Sequence, residues 1–216
     1  MFVPKRIDTP ELLDEHDAPR GDMERSLRDL RRFNSIYGGG RVYRRLLRRV
    51  APPPTSILDI ATGTADVIET VPGFRVGVDF KIDHLLYMRE RSQVRRVVAD
   101  ALRLPFRDNS FDVVTSAHFF HHLTGDENRR MLRDALRIGR RGVIVNDTRR
   151  NYIPYLFVRL LSLLRLVGPI TRNDAPASIL RGYTIDEVRA IAKDTGAARL
   201  EIVRVWPFRF GLLLWK

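Results

Sequence analysis

The stretch Ile57-Leu58-Asp59-Ile60-Ala61-Thr62-Gly63-Thr64-Ala65-Asp66 decides the fold. A short apolar run, Ile57–Ala61, passes into a turn of small residues and then into a helical pattern over Ala65–Thr70. Small residues let the backbone approach a ligand closely, and a helix start offers free N–H groups. The next apolar run, Phe74–Val78, ends in Asp79-Phe80, sixteen residues past Gly63. A carboxylate at that place can accept hydrogen bonds from both hydroxyls of a ribose. A third run, Val94–Ala99, ends in Asp100-Ala101 ahead of Leu104-Pro105-Phe106, where the acid can accept from an exocyclic adenine amine. Acids and small-residue turns at the carboxyl ends of three successive strands converge on the crevice where open α/β sheets bind ligands.

Outward from this stretch, Phe111–Ser116 and Gly142–Asn146 read as further strands. Helical patterns over Asp83–Arg91 and Glu127–Ile138 separate them. Buried strands alternating with helices predict a parallel sheet covered on both faces. Towards the N-terminus, Pro52-Pro53-Pro54 is the clearest boundary, dividing an arm and helical lid (1–52) from the main domain (53–216). Residues 1–22 read as a proline- and charge-rich arm, and 23–36 as a helix with Met23, Leu27, Leu30 and Asn34 at helical spacing. Gly38-Gly39-Gly40 breaks the pattern before an amphipathic helix over Arg41–Val50. After the fifth strand the pattern predicts an apolar helix at 153–167 and a loop over Gly168–Gly182. A helix then begins at an N-cap Thr184 with Glu187 at N3 and Gly196 past its end. Arg199–Val205 and Phe208–Trp215, around Trp206-Pro207, predict a terminal hairpin.

Composition narrows the chemistry. The chain has 216 residues and no cysteine, which excludes disulfides, cysteine-zinc and iron-sulfur sites, thiol nucleophiles, cytosine C5 methylation and thiol-based arsenic methylation. The net charge is +12, and all basic residues except Lys5, Lys81, Lys193 and Lys216 are arginine. The excess fits a polyanion or anionic-lipid partner, but the arginines are scattered, and biased codon usage explains them as well. Met1–Pro10 has no apolar signal region and 153–167 is interrupted by Arg159 and Arg165, so a cytoplasmic protein without a membrane span is expected.

Residues 56–147 resemble class I S-adenosylmethionine-dependent methyltransferases, in particular the group that includes the ubiquinone/menaquinone-biosynthesis enzymes. The resemblance is carried by Asp59-Ile60-Ala61-Thr62-Gly63-Thr64, by Asp79, by Val98–Phe106, by Phe111-Asp112-Val113-Val114 and by His121-His122-Leu123. It implies an α/β, Rossmann-like, doubly wound sheet of seven strands whose last strand is antiparallel, with S-adenosylmethionine as cofactor. It implies a cofactor site built from Asp59, Ala61, Thr62, Gly63, Thr64, Asp79, Phe80, Asp100, Ala101, Ser116 and Ala117, with Tyr37 near the methionine end. One departure is plain. The family turn usually carries three glycines, whereas here Ala61 and Ala65 flank Gly63, which predicts that Gly63 is the position unable to change.

Methyl transfer from a sulfonium needs alignment and exclusion of water, and a base only if the acceptor holds its proton. DNA and RNA amino-methylation typically uses an Asn/Asp-Pro-Pro-aromatic loop after strand four; Ser116-Ala117-His118-Phe119 stands there instead. A compact basic face for RNA is confined to Arg41, Arg44, Arg45 and Arg48. Catechol-type enzymes hold magnesium through an acid at the end of strand four. Ser116 cannot serve, and Asn146-Asp147 alone suit a hard cation poorly, so no metal is expected. A small, lipophilic, aromatic or quinone-like acceptor remains, methylated on oxygen or carbon. His118 is the candidate base and Asp147 its partner or substrate orienter; one of His121-His122 is expected to pack into the sheet–helix junction, and His16 and His84 to lie on the surface. Residues 148–183 are expected to cover the acceptor, with helix 153–167 as a core helix, a lipophilic wall, a dimer contact or a membrane-surface face. A non-catalytic cofactor-binding module and a nicotinamide-dependent dehydrogenase are the rival readings, and the oligomeric state is open.

Overall fold

The computed structural model describes residues 3–14, 19–36, 39–87 and 92–216. Seven strands form one sheet: β1 (Ser56–Ile60), β2 (Phe74–Asp79), β3 (Arg95–Val98), β4 (Phe111–Ala117), β5 (Gly139–Thr148), β6 (Arg199–Val205) and β7 (Arg209–Trp215). Their order is β3-β2-β1-β4-β5-β7-β6. β7 alone runs antiparallel, inserted between β5 and β6, as expected for a terminal hairpin whose second strand pairs back into the sheet. The chain winds outward in both directions from the β1/β4 pair, so the crevice opens at the carboxyl ends of these strands.

Helices cover both faces. α1 (Arg20–Ile36), α2 (Gly39–Leu47) and α3 (Ile82–Leu86) precede β3; α4 (Gly125–Ile138), α5 (Tyr152–Leu163), α6 (Pro169–Arg181) and α7 (Ile185–Lys193) follow β4. α4 and α7 bury Met131, Leu132, Val188 and Ile191 against Val114, Val143 and Leu212. On the other face α2 buries Tyr43, Leu46 and Leu47 against Ile57, Val113, Ile144 and Leu213. α2 is therefore a layer of the sheet, and what lies beside the crevice is α1 with the segment 3–14. Thr124 and Thr184 cap α4 and α7 with complete capping boxes, each closed by a Glu at N3.

Several boundaries differ from the sequence pattern. The loop expected over Gly168–Gly182 is the helix α6, started by Pro169 in its first turn. Its buried face is mixed, with Thr171, Asp174 and Arg181 among Ile170, Pro176 and Ile179, which hides the apolar period that marks a helix. The helix expected over Ala65–Thr70 shrinks to one 3-10 turn, Ile68–Thr70, because Ala65 takes a left-handed conformation. The helix expected over 153–167 ends at Leu163, and Arg165 is likewise left-handed. α5 has no buried residue, which removes the core-helix reading. The predicted helix Asp83–Arg91 is seen as α3, and its residues 88–91 lie outside the described ones. Among the described residues no helix is long and apolar enough to cross a membrane.

Candidate active site

A cavity of about 900 Å³ occupies the crevice at the carboxyl ends of the strands. One half of it is the turn after β1. Thr62 N–H donates to the Val78 carbonyl at 2.8 Å, tying the turn to β2. The turn lies so close to β2 that a Cβ on Gly77 would stand 2.6 Å from the Thr62 methyl. Ala61, Gly63 and Ala65 all have positive φ, at 53°, 54° and 59°. The three-glycine geometry is thus kept with two alanines, and strain of about 1–2 kcal/mol at each left-handed alanine is held by the surrounding packing. The sequence singles out Gly63 as the position unable to change, whereas Ala61 and Ala65 share its left-handed conformation. A Cβ on Gly63 would meet open space.

Asp79 ends β2 with one carboxylate oxygen accepting from Gly63 N–H (2.8 Å) and the other from Lys81 N–H (2.9 Å). His84 is buried, not on the surface, and its Nδ1 is 3.5 Å from Asp79. Asp100 accepts from Leu102 N–H at 2.8 Å in the turn after β3. Beneath the β1 turn, buried Asp59 accepts hydrogen bonds from Thr115 (2.7 Å), Thr62 (2.9 Å) and Tyr43 (3.3 Å). Burial nevertheless pushes its pKa up to about 6, against the pull of those hydroxyls.

Of the cofactor residues expected from sequence, Asp59, Ala61, Thr62, Gly63, Thr64, Asp79, Phe80, Asp100, Ala101 and Ala117 line the cavity together. Ser116 does not: strand alternation turns it to the face of Val114, at 1% exposure. Tyr37 lies outside the described residues, as does His16. The lining residues fit S-adenosylmethionine. The carboxylates of Asp79 and Asp100 face the same cavity, and the Cβ-free side of Gly63 leaves room for close approach.

The other half of the cavity is a cluster of histidines and carboxylates. His118 follows β4 with φ of 58° and lines the cavity. Its Nε2 is shielded from water and makes no hydrogen bond among the described residues. Burial, with Arg209 nearby, lowers its pKa to about 3, so the ring is neutral. Asp147, the expected partner of His118, is turned to His121 instead: its oxygens accept from His121 Nδ1 (2.9 Å), His121 N–H (3.0 Å) and Thr148 N–H (2.6 Å). Asp147 is fully buried and does not line the cavity. Burial would raise its pKa, but the charge and hydrogen bond of His121 outweigh this and hold it at about 2. Burial likewise opposes charge on His121, and the two carboxylates beside it win, raising its pKa to about 10.

The second carboxylate is Glu11, which sequence reasoning did not single out. It comes from the segment 3–14, strapped onto α6. Asp174 accepts from Leu12 and Leu13 N–H at 2.9 Å each, Arg181 donates to the Thr9 carbonyl at 3.1 Å, and Arg6 donates to the Arg181 carbonyl at 3.0 Å. Arg181 also donates to the His122 carbonyl at 2.8 Å, so α6 joins strap and histidine loop. Ile153, Phe157 and Val158 of α5, and Leu27, Leu30 and Phe33 of α1, complete an apolar wall.

Comparisons agree with this geometry. Residues 58–145 match a family model described as a methyltransferase domain. The demethylmenaquinone methyltransferase of Corynebacterium glutamicum (strain R) is 30% identical over 173 residues, covering 76% of this chain and 73% of that protein. The ubiquinone/menaquinone biosynthesis C-methyltransferase of Ectopseudomonas mendocina is 32% identical over 200 residues, covering 78% and 76%. A demethylmenaquinone methyltransferase of Thermus thermophilus is 42% identical over 84 residues, covering 34% of this chain and 38% of that protein. Among solved structures, a possible histamine N-methyltransferase of Thermotoga maritima has a TM-score of 0.64 at 16% identity, covering 91% of this chain and 99% of that one.

Proposed function

The chain belongs to the class I S-adenosylmethionine-dependent methyltransferases, in the group of the ubiquinone/menaquinone-biosynthesis enzymes, and from that membership we propose that its acceptor is a lipophilic hydroquinone-type ring. The observation that carries this reading is that one cavity joins the nucleoside-binding turn, an apolar wall from α1 and α5, and a histidine–carboxylate cluster. The names of the relatives agree with a quinone-type acceptor and favour the ring carbon over oxygen. Bound S-adenosylmethionine supplies the activated methyl group.

The residues of the chain then have separate tasks. Asp79 and Asp100 hold the nucleoside, and the β1 turn gives the close approach. Phe157, Val158 and Ile153 hold the ring and exclude water. The acceptor's hydroxyl lies toward the cluster; its proton passes to water, and the phenolate so formed makes the ring carbon or oxygen nucleophilic. His118 is neutral and lines the cavity beside the hydroxyl. Asp147 is a positioning residue that fixes the ring of His121. The exposed side of α5, with Leu156, Leu160 and Leu163 beside Arg159, rests against an anionic lipid surface from which such an acceptor enters.

The test is to incubate the protein with methyl-labelled S-adenosylmethionine and reduced prenylated naphthoquinols lacking a ring methyl. Label in the organic phase is expected, with fragmentation locating it on the ring carbon. Asp79→Ala should weaken S-adenosylhomocysteine binding by about 30–150-fold, the equivalent of 2–3 kcal/mol for a doubly bonded carboxylate. Binding of the cofactor product without transfer to any hydroquinone would overturn the acceptor assignment.

A further inference from the structure

We propose that Glu11, His121 and His122 form a binding site for a divalent transition-metal ion of the zinc class. The two rings are neighbours in a 3-10 turn, Phe120–His122, with centroids 4.3 Å apart. His121 Nε2 lies 3.3 Å from one carboxylate oxygen of Glu11, and His122 Nε2 lies 3.8 Å from the other. The donor atoms all fall within 4.8 Å of one another. Zinc holds nitrogen and oxygen donors at about 2.0–2.1 Å, which sets neighbouring donors of a tetrahedron about 3.3–3.4 Å apart. The 3.3 Å separation matches that edge, and the 3.8 Å one, measured to the other oxygen of Glu11, is longer.

The outer contacts are those of ligating histidines. His121 Nδ1 meets Asp147 at 2.9 Å and His122 Nδ1 meets Asp14 at 2.8 Å. A carboxylate only accepts, so each Nδ1 carries a proton and each Nε2 is aimed away from it, toward Glu11, where loss of its own proton makes it a metal donor. A carboxylate behind each imidazole fixes tautomer and ring orientation and raises the basicity of the nitrogen that binds metal. Ser178 donates to Glu11 Oε1 at 2.8 Å and orients the third donor. His121 Nε2, on a residue 4% exposed, lies within reach of Glu11 yet lacks the alignment of a hydrogen bond. Without metal that nitrogen faces the Glu11 carboxylate as an ion pair, and an incoming ion would displace its proton.

Charge points the same way. Glu11, Asp14 and Asp147 surround the two rings, and the Arg181 guanidinium, hydrogen-bonded to the His121 and His122 carbonyls, supplies the nearest fixed positive charge. A divalent ion would take the place of the proton that pairs His121 with Asp147 and Glu11. Two histidines and one glutamate leave the fourth position of a zinc-type ion open. All three donors line the cavity, so the open position is available to water or to an acceptor oxygen. The expectation of a metal-free site considers Ser116, Asn146 and Asp147; the donors here are others, and one of them lies far upstream in the chain. The site bears on the proposed methyl transfer but its existence does not depend on it.

The experiment uses the full chain without a histidine tag, freed of metal by a chelator, and titrated with Co²⁺ alone. One equivalent should bind with visible d–d absorption of a tetrahedral or five-coordinate site, and Zn²⁺ should displace it. His122→Ala, on the more exposed of the two rings, should weaken binding by at least a hundredfold. Asp14→Asn, which touches the ion only through His122, should weaken it ten- to a hundredfold. S-adenosylhomocysteine affinity and melting temperature serve as folding controls for both variants. Absence of a one-equivalent band, or a band unchanged in His122→Ala, overturns the proposal. Hydroquinone methylation by the chelated protein is measured in parallel, so loss of the metal site and loss of the acceptor assignment are separate results.

Discussion

At the residue scale the β1 turn concentrates strain and charge. Ala61 and Ala65 sit in left-handed backbone where glycine is unstrained, and Ala65 is buried at 1% exposure. Replacing Ala65 by glycine should therefore raise stability by about 1 kcal/mol, relief of left-handed strain exceeding the added chain entropy of the unfolded state. Chemical denaturation of the variant beside the parent checks it; a less stable variant would show that the alanine is relaxed there. Asp59 gives a pH signature. Its pKa is raised from 3.8 to about 6, mainly by burial, so the protonated form suits the fold. Its contribution is fully present below 3.8 and is lost as pH rises through about 6. Relative to Asp59→Asn, the parent should lose about 3 kcal/mol of unfolding free energy between pH 4 and 7. Parallel stability curves across that window would refute the assignment.

Among the elements, α5 and α6 carry the acceptor side. α5 follows β5 directly, capped by Asn151, whose side chain accepts from Ile153 N–H at 2.9 Å. It packs on α6 through one side and leaves Ile153, Leu156, Leu160 and Leu163 more than half exposed. Phe157 is 45% exposed and lines the cavity. Phe157→Ala should then cost well under the 3–5 kcal/mol of a buried phenylalanine while weakening acceptor binding, with cofactor affinity held within a few-fold. Thermal melts beside calorimetry with S-adenosylhomocysteine and a hydroquinone separate these effects. A large stability loss with no selective loss of acceptor would make α5 a packing element only. α6 was hidden in the sequence because half of its buried residues are polar: Asp174 and Arg181 are spent on strap and histidine loop, which interrupts the apolar period that Ile170 and Ile179 alone do not make.

For the whole molecule, the net charge of +12 and the location of exposed apolar surface matter together. Trp206, 87% exposed at the β6–β7 turn, lies at the same cavity rim as Ile153 and Phe157. An anionic surface offers both counter-charge and an apolar phase at that rim. Co-sedimentation with vesicles containing phosphatidylglycerol should show binding that falls with added salt and with Leu160→Asp or Leu163→Asp. Equal binding to neutral vesicles, or indifference to both substitutions, would contradict a lipid-facing α5.

The sequence by itself determined the sheet, its crevice and most of the residues that line the crevice beside β1, β2 and β3. Those features are local: each is a strand end followed within a few residues by an acid or a small-residue turn, and period and spacing expose them. The capped helices α4 and α7 and the terminal hairpin were legible for the same reason. Only the tertiary structure decided the other half. Asp147 pairs with His121 and not with His118 because the loop after β4 swings His121 back onto the end of β5. Glu11 and Asp14 reach the histidine pair because α6 holds the strap there through Asp174 and Arg181. Contacts between residues more than a hundred positions apart leave no periodic trace in the chain, since buried polar groups satisfy one another through geometry that only packing creates.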